Sequence, residues 1–173
     1  MNSPSTPISR RVTAIAPSAT KNMAMAAAQI GDCVSLGQGV PSFATPPAII
    51  AAVSKALQHN PAIGKYTLQT GLPALRHRLA QHLLTERNVE IDPEREICIT
   101  VGGMEALLCT VLTLVDEGDE VIVPSPTYAS YIEQILLAGG KAVFAPLNDR
   151  WRLDMGSLHR ALSQKTRTLM LCT

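Results

Sequence analysis

Two short segments of this chain carry residue types at spacings that suit ligand chemistry. In Ile97-Cys-Ile-Thr-Val-Gly-Gly-Met-Glu-Ala-Leu107, the pair Gly102-Gly103 falls where an apolar extended run gives way to a helical pattern. Glycines let a ligand come close to the backbone, and the unpaired N–H groups of a helix's first turn bind phosphate. Asp119-Glu-Val-Ile-Val-Pro-Ser-Pro-Thr-Tyr128-Ala-Ser-Tyr131 follows, an apolar run ending in a stiff proline turn that presents an aromatic ring. In parallel α/β sheets ligands bind beyond the carboxyl ends of the strands, so Tyr128 is a candidate plate for a flat ring. Phosphate turn and plate together suit a phosphorylated, planar aromatic cofactor.

Each feature also has a plainer explanation. Alone, Gly-Gly is what a strand-to-helix turn needs for its geometry. Glu105 and Ala106 follow it, so it is no GxGxxG fingerprint, and a dinucleotide fold is a minor alternative. Tyr128 could be a capping hydrophobe, and Tyr131, three residues on, is expected to pack in the core. Tyr66, in the polar loop Gly64-Lys-Tyr-Thr-Leu-Gln-Thr-Gly71, could offer its hydroxyl to a phosphate or simply cover a joint. Gly39, between Gln38 and Val40, could meet a ligand or make a turn.

The elements that must position these residues follow from pattern. Residues 1–9, with Pro4 and Pro7, are expected to be a mobile lead-in. A helix capped by Ser18 or Thr20 ends at Gly31, and Cys33–Leu36 makes a short strand. Pro46-Pro47 opens a helix through about Leu57, broken at His59-Asn60-Pro61. Gly71-Leu-Pro73 opens another, with Leu72, Leu75, Leu79 and Leu83 on one face. Strands are expected at Glu96–Val101, Glu120–Pro124, Ala142–Pro146 and Thr166–Thr173, with helices at 103–116, 129–138 and 154–163 between them. This alternation predicts an α/β fold, a parallel sheet with right-handed crossovers. The last strand would leave Leu169–Cys172 bare, an aggregation liability.

Bulk properties exclude several classes. A hydrophobic share of 46% against 17% charge gives a globular chain with a real core, and a net charge of +1 gives no reason for nucleic-acid or membrane partners. The Met23–Ile30 run is too short to span a bilayer. Cys33, Cys98, Cys109 and Cys172 lack metal spacing and read as buried small hydrophobes in a reducing cytoplasm. His59, His77, His82 and His159 are scattered surface residues, Asp92–Glu96 is a solvated charged loop, and no metal site is expected.

Taken as a set and in order, the segments resemble the class I/II pyridoxal-phosphate-dependent aminotransferases, the aspartate aminotransferase superfamily of fold type I. Ile8–Arg11 and Pro17–Thr20 resemble the family's N-terminal arm and first helix. Ser35-Leu-Gly-Gln-Gly-Val-Pro-Ser-Phe-Ala-Thr-Pro46 resembles its LGxGxPDFxTP segment, with Ser42 in place of the usual Asp. Tyr66-Thr and Gly71-Leu-Pro-Ala-Leu-Arg76 resemble YTxxxGxxxLR. Thr100–Leu107 and Gly118–Tyr128 resemble the phosphate loop and the stacking segment.

The resemblance implies a three-layer parallel-sheet large domain, incomplete here (46–173), preceded by an arm and helix of the small domain (1–45). It implies pyridoxal 5'-phosphate as cofactor and an amino acid and a 2-oxo acid as substrates. Gly103 and Met104 would give backbone N–H groups to the phosphate, with Glu105 alongside, and Tyr128 would stack on the ring. Gly39 would meet the substrate carboxylate. Tyr66 would reach the phosphate held by a partner subunit, so the active unit would be a homodimer in the cytoplasm. The Schiff-base lysine, the acid at the ring nitrogen and the carboxylate-binding arginine would lie downstream. None of Lys21, Lys55, Lys65, Lys141 and Lys165 matches the lysine's position, so no catalytic residue is assigned. Alternatives are an inactive truncated product, another enzyme of this fold such as a carbon–sulfur lyase, and a nucleotide-binding domain outside the family.

Overall fold

A computed structural model describes residues 8–15, 19–30, 32–34, 36–37, 39 and 41–172. The chain divides into two compact units, one of residues 1–37 and 103–173, the other of residues 38–102.

The first unit is built on Glu120–Ser125 (β1). Its residues Val121 to Pro124 are all buried, as a strand covered on both faces must be. Alternate side chains then serve opposite faces. Val121 and Val123 join Val111, Val115 and Ile135 in one cluster, while Ile122 joins Ala145 and Leu158 in another. The first cluster is supplied by helices Gly103–Leu114 (α5) and Ala129–Leu137 (α6), the second by Met155–Ala161 (α7). Lys141–Pro146 (β2) and Thr166–Leu169 (β3) flank β1 in the order β2-β1-β3, both parallel to it. The parallel sheet is the one that the alternation predicts, and helices on both its faces make the three-layer architecture that the resemblance implies.

The remaining elements of this unit are Arg10–Thr13 (α1) and Ala19–Ile30 (α2). Thr20 lies inside α2 and so is not its cap. Ser18, Gly31, Ser35, Thr173 and residues 1–7 of the expected lead-in lie outside the described residues.

The second unit holds Pro47–His59 (α3), with Pro47 in its first turn and Asn60 as C-cap, a 3₁₀ turn at Pro61–Gly64, and Pro73–Arg87 (α4). Here sequence pattern and structure part in two places. The buried residue of α4 is Arg76; of the expected leucine face, Leu72 and Leu75 are exposed while Leu79 and Leu83 are half-buried. The guanidinium explains this, because it donates to the Pro93 carbonyl at 2.6 Å and to Glu94 at 3.0 Å, drawing the 92–96 turn over the helix. Glu94 also meets His77 at 3.1 Å, so this turn is pinned at its centre and is not a merely solvated loop.

The second difference is at Glu96–Val101, which forms no strand. An extended segment becomes a strand only by pairing, and among the described residues Ile99 N–H meets the Thr70 carbonyl at 3.0 Å without a ladder forming. That bond sets the segment against Gly71, whose φ of 95° and proximity to Ile99 require glycine: an added Cβ would lie 2.5 Å from the Ile99 Cβ. The described residues of Cys33–Leu36 are likewise not in a strand.

Candidate functional site

The carboxyl edge of the sheet is set by two lengths. β1 has six residues and spans about 20 Å. α5 has twelve and spans about 18 Å, running back against the strand it precedes. Its C-terminal end is fixed at the amino edge, where Arg167 Nε, at the start of β3, donates to the Leu114 carbonyl at 2.9 Å. Its first turn, Gly103-Met104-Glu105, therefore returns to the level where β1 ends. Tyr128, just beyond β1, is the N-cap residue of α6 and stands at the same edge.

One side chain ties the two features together. Gln134 on α6 donates from Nε2 to the Met104 carbonyl, 3.2 Å away in the first turn of α5. Gln134 is buried, and among the described residues its Oε1 has no hydrogen-bond partner. A buried acceptor left in that state costs about 1–3 kcal/mol. Exchanging the amide's oxygen and nitrogen would set oxygen against the Met104 carbonyl oxygen, so the hydrogen bond fixes the assignment.

Tyr128 is half exposed and meets Tyr131 edge to face, ring centroids 5.7 Å apart at 79°. This braces the Tyr128 ring and leaves much of it open to a ligand. The neighbouring Cys172 thiol, then burial and Tyr128, push the Tyr131 phenol's pKa up. Tyr131 is thus half-buried at the site's edge, where the sequence pointed to the core.

A Cβ built on Gly103 meets nothing within 4 Å, so the backbone of the first turn can be approached there. Preceding it, Gly102 has a φ of 82°, a conformation that other residues adopt only under strain. Glu105 places an acid in the first turn, where it complements the helix dipole.

The first unit thus brings together Gly103, Met104, Glu105 and Tyr128. Tyr66 and Gly39 belong to the second unit. Tyr66 is fully exposed in its loop, and Gly39 has open space about it. Two further residues at the edge escaped the sequence reading. Gln134 sits in an apolar helix with no motif to mark it. Cys172 was expected to be buried, but it is exposed, as are Cys33, Cys98 and Cys109. Val111 is the buried residue of α5, so Cys109 lies off the buried stripe, and Cys98 points away from neighbouring Ile99, which faces Gly71.

Among the described residues no group of His, Cys, Asp and Glu could hold a metal ion, and no helix is long and apolar enough to cross a membrane. The four histidines are exposed, as expected.

A parallel sheet with helices on both faces defines the α/β class, in which ligands bind beyond the carboxyl ends of the strands. The chain belongs to the aminotransferase class I and II family, whose family model matches residues 31–173. It is 34% identical over 166 residues to an aspartate aminotransferase of Pyrococcus abyssi, covering 95% of this chain and 42% of the relative. It is 35% identical over 154 residues to a human kynurenine–oxoglutarate transaminase, covering 82% and 36%. Among solved structures, aspartate aminotransferase from Thermus thermophilus with maleate superposes with a TM-score of 0.88 at 35% identity, covering 96% of this chain and 44% of that one. The chain thus spans about 42% of the length of the first of these curated relatives.

Proposed function

We propose that the protein is a pyridoxal-phosphate-dependent aminotransferase, moving an amino group between an amino acid and a 2-oxo acid, and that this chain supplies the surface gripping the cofactor's phosphate and one ring face. The observation that carries this reading is the Gln134–Met104 hydrogen bond, which locks an approachable helix N-terminus to the helix that Tyr128 opens.

The residues present fit such a cofactor. The first turn of α5 offers backbone N–H groups and a favourable dipole to a phosphate dianion, with open space at Gly103. Tyr128 offers a braced aromatic face for the ring. When bound, the cofactor supplies an electron sink for charge developing on the substrate. Gly39 would meet the substrate carboxylate through its backbone N–H. Tyr66, fully exposed, would serve the phosphate of a second copy, making the active unit a homodimer. The proposed setting is the cytoplasm, where exposed thiols stay reduced.

We assign the lysine that joins the cofactor to none of the five in these residues, and the positions of two of them support this. Lys141 is bound to Glu120 at 3.3 Å, at the amino end of β1, and Lys165 immediately precedes β3. Both stand a strand's length, about 20 Å, from the edge that carries Tyr128.

The test is an assay of the full-length protein with pyridoxal phosphate, a panel of amino acids and 2-oxoglutarate. Acceptor-dependent formation of the matching 2-oxo acid is expected. Release of ammonia and a thiol from a sulfur amino acid without any acceptor would instead make it a lyase. Residues 1–173 alone should give no turnover, and borohydride should trap no cofactor on a lysine; a trapped adduct would overturn the placement of that lysine.

A further inference from the structure

The proposed function uses the Gln134–Met104 hydrogen bond as a tie between two helices and leaves open why a buried amide makes it. Nothing in an apolar helix calls for a buried amide, and this one is only half satisfied. A buried amide in that state is normally replaced by an apolar side chain of similar volume unless its remaining bond does something that packing cannot.

That bond acts on a particular peptide. The Met104 carbonyl and the following N–H belong to one rigid planar unit and point in opposite directions. In the first turn of a helix, the N–H groups point out of the N-terminus and the carbonyls point down the axis. Holding the Met104 carbonyl from below therefore fixes the tilt of the Met104–Glu105 peptide, and with it the direction of an N–H group at the mouth of the turn. Gln134 also lies six residues beyond Tyr128 on the same side of the sheet, with α6 rigid between them. The one hydrogen bond therefore sets both the aim of the turn and its distance from the aromatic plate.

We infer that Gln134 is a positioning residue for the cofactor phosphate: through the Met104 carbonyl it aims the first turn of α5 and sets the spacing between the phosphate seat and the Tyr128 ring. The inference rests on the proposed cofactor site and assigns a determinant of its selectivity for the phosphorylated form. The orphan Oε1 fits this role, since the amide is retained for the direction it imposes on a neighbour.

The test compares binding of pyridoxal phosphate and of pyridoxal, which lacks the phosphate, by the full-length protein. Gln134→Met keeps the volume and removes the hydrogen bond. It should lower affinity for pyridoxal phosphate by about five- to tenfold, leave pyridoxal binding unchanged, and leave thermal stability equal or higher, because the unsatisfied oxygen is gone. Gln134→Glu is the second variant, and guards against misfolding of the first. Its carboxylate cannot donate when ionised, so the preference for pyridoxal phosphate over pyridoxal should be lost at pH 8 and partly regained, relative to wild type, as the acid protonates toward pH 5.

A preference unchanged in both variants would overturn the inference, as would equal loss of both ligands together with lowered stability, the mark of a merely structural role. In either case the cofactor reading would still stand if Tyr128→Ala weakened both ligands. A wild-type protein that binds pyridoxal as tightly as pyridoxal phosphate would overturn the phosphate seat itself, and this inference with it.

Discussion

Tyr128 contributes a face and no charge, and that limits what its loss can do. Stacking of aromatic rings is worth about 0.5–1.5 kcal/mol beyond burial. Tyr128→Ala should therefore weaken cofactor binding by about 1 kcal/mol or somewhat more, several-fold in the dissociation constant, whereas Tyr128→Phe, which keeps the face, should stay close to wild type. Spectrophotometric titration with pyridoxal phosphate checks both, and unchanged affinity in the alanine variant would remove Tyr128 from the site. Asp154 is a different kind of residue. It caps α7 through the Gly156 and Ser157 N–H groups at 3.1 and 3.0 Å and accepts the Ser157 hydroxyl at 2.6 Å. The Ser157 hydroxyl, those backbone N–H groups and Arg160 hold its carboxyl below the usual range. Glu120 is lowered likewise, first by the Ser163 hydroxyl and then by Lys141. A carboxyl with a lowered folded pKa stabilises the fold above its unfolded value, near pH 4, and the contribution is lost as pH falls through the folded value. Urea midpoints should therefore drop from pH 5 to pH 3, and drop less in Asp154→Ala. An identical acid slope in that variant would exclude the cap as a source.

At the scale of elements, the sheet and its helices carry the stability. Ile135 on α6 is completely buried against Val115 and the inner strand, and Gly140 closes on it, an added Cβ there lying 3.2 Å from Ile135 Cγ2. Truncation in so tight a setting leaves a cavity, and Ile135→Ala should cost about 2–5 kcal/mol in chemical denaturation. A cost below 1 kcal/mol would mean that α6 is not seated as described. These elements were legible because local pattern decides them. Val121–Val123 is a continuous β-branched run, Pro47 and Pro73 open their helices, and Gly118 and Gly139 mark turns. The expected helix at 103–116 ends at 114, and that at 154–163 runs from 155 to 161, within the usual fraying of helix ends. Glu96–Val101 failed for the converse reason: its residues favour a strand, but pairing is not a property of one segment. The leucine face of α4 is only partly realised, because the contact that buries this helix is made by Arg76 with a turn some 17 residues away. In the site, the glycine turn and Tyr128 were visible as types at spacings. Gln134 was not, since its significance lies in an oxygen on another helix, 30 residues distant.

For the whole molecule, exposed apolar side chains are informative. Leu36 in the first unit is 93% exposed and Val101 in the second is 90% exposed. Apolar side chains left open in this way suit contact with a partner, in keeping with the homodimer proposed above. The most direct test of the account is a crystal structure of the full-length protein with pyridoxal phosphate bound. The account predicts phosphate oxygens about 2.7–3.2 Å from backbone nitrogens of Gly103, Met104 or Glu105, and the pyridine ring stacked on Tyr128. A phosphate seated elsewhere, with Tyr128 facing solvent, would contradict it.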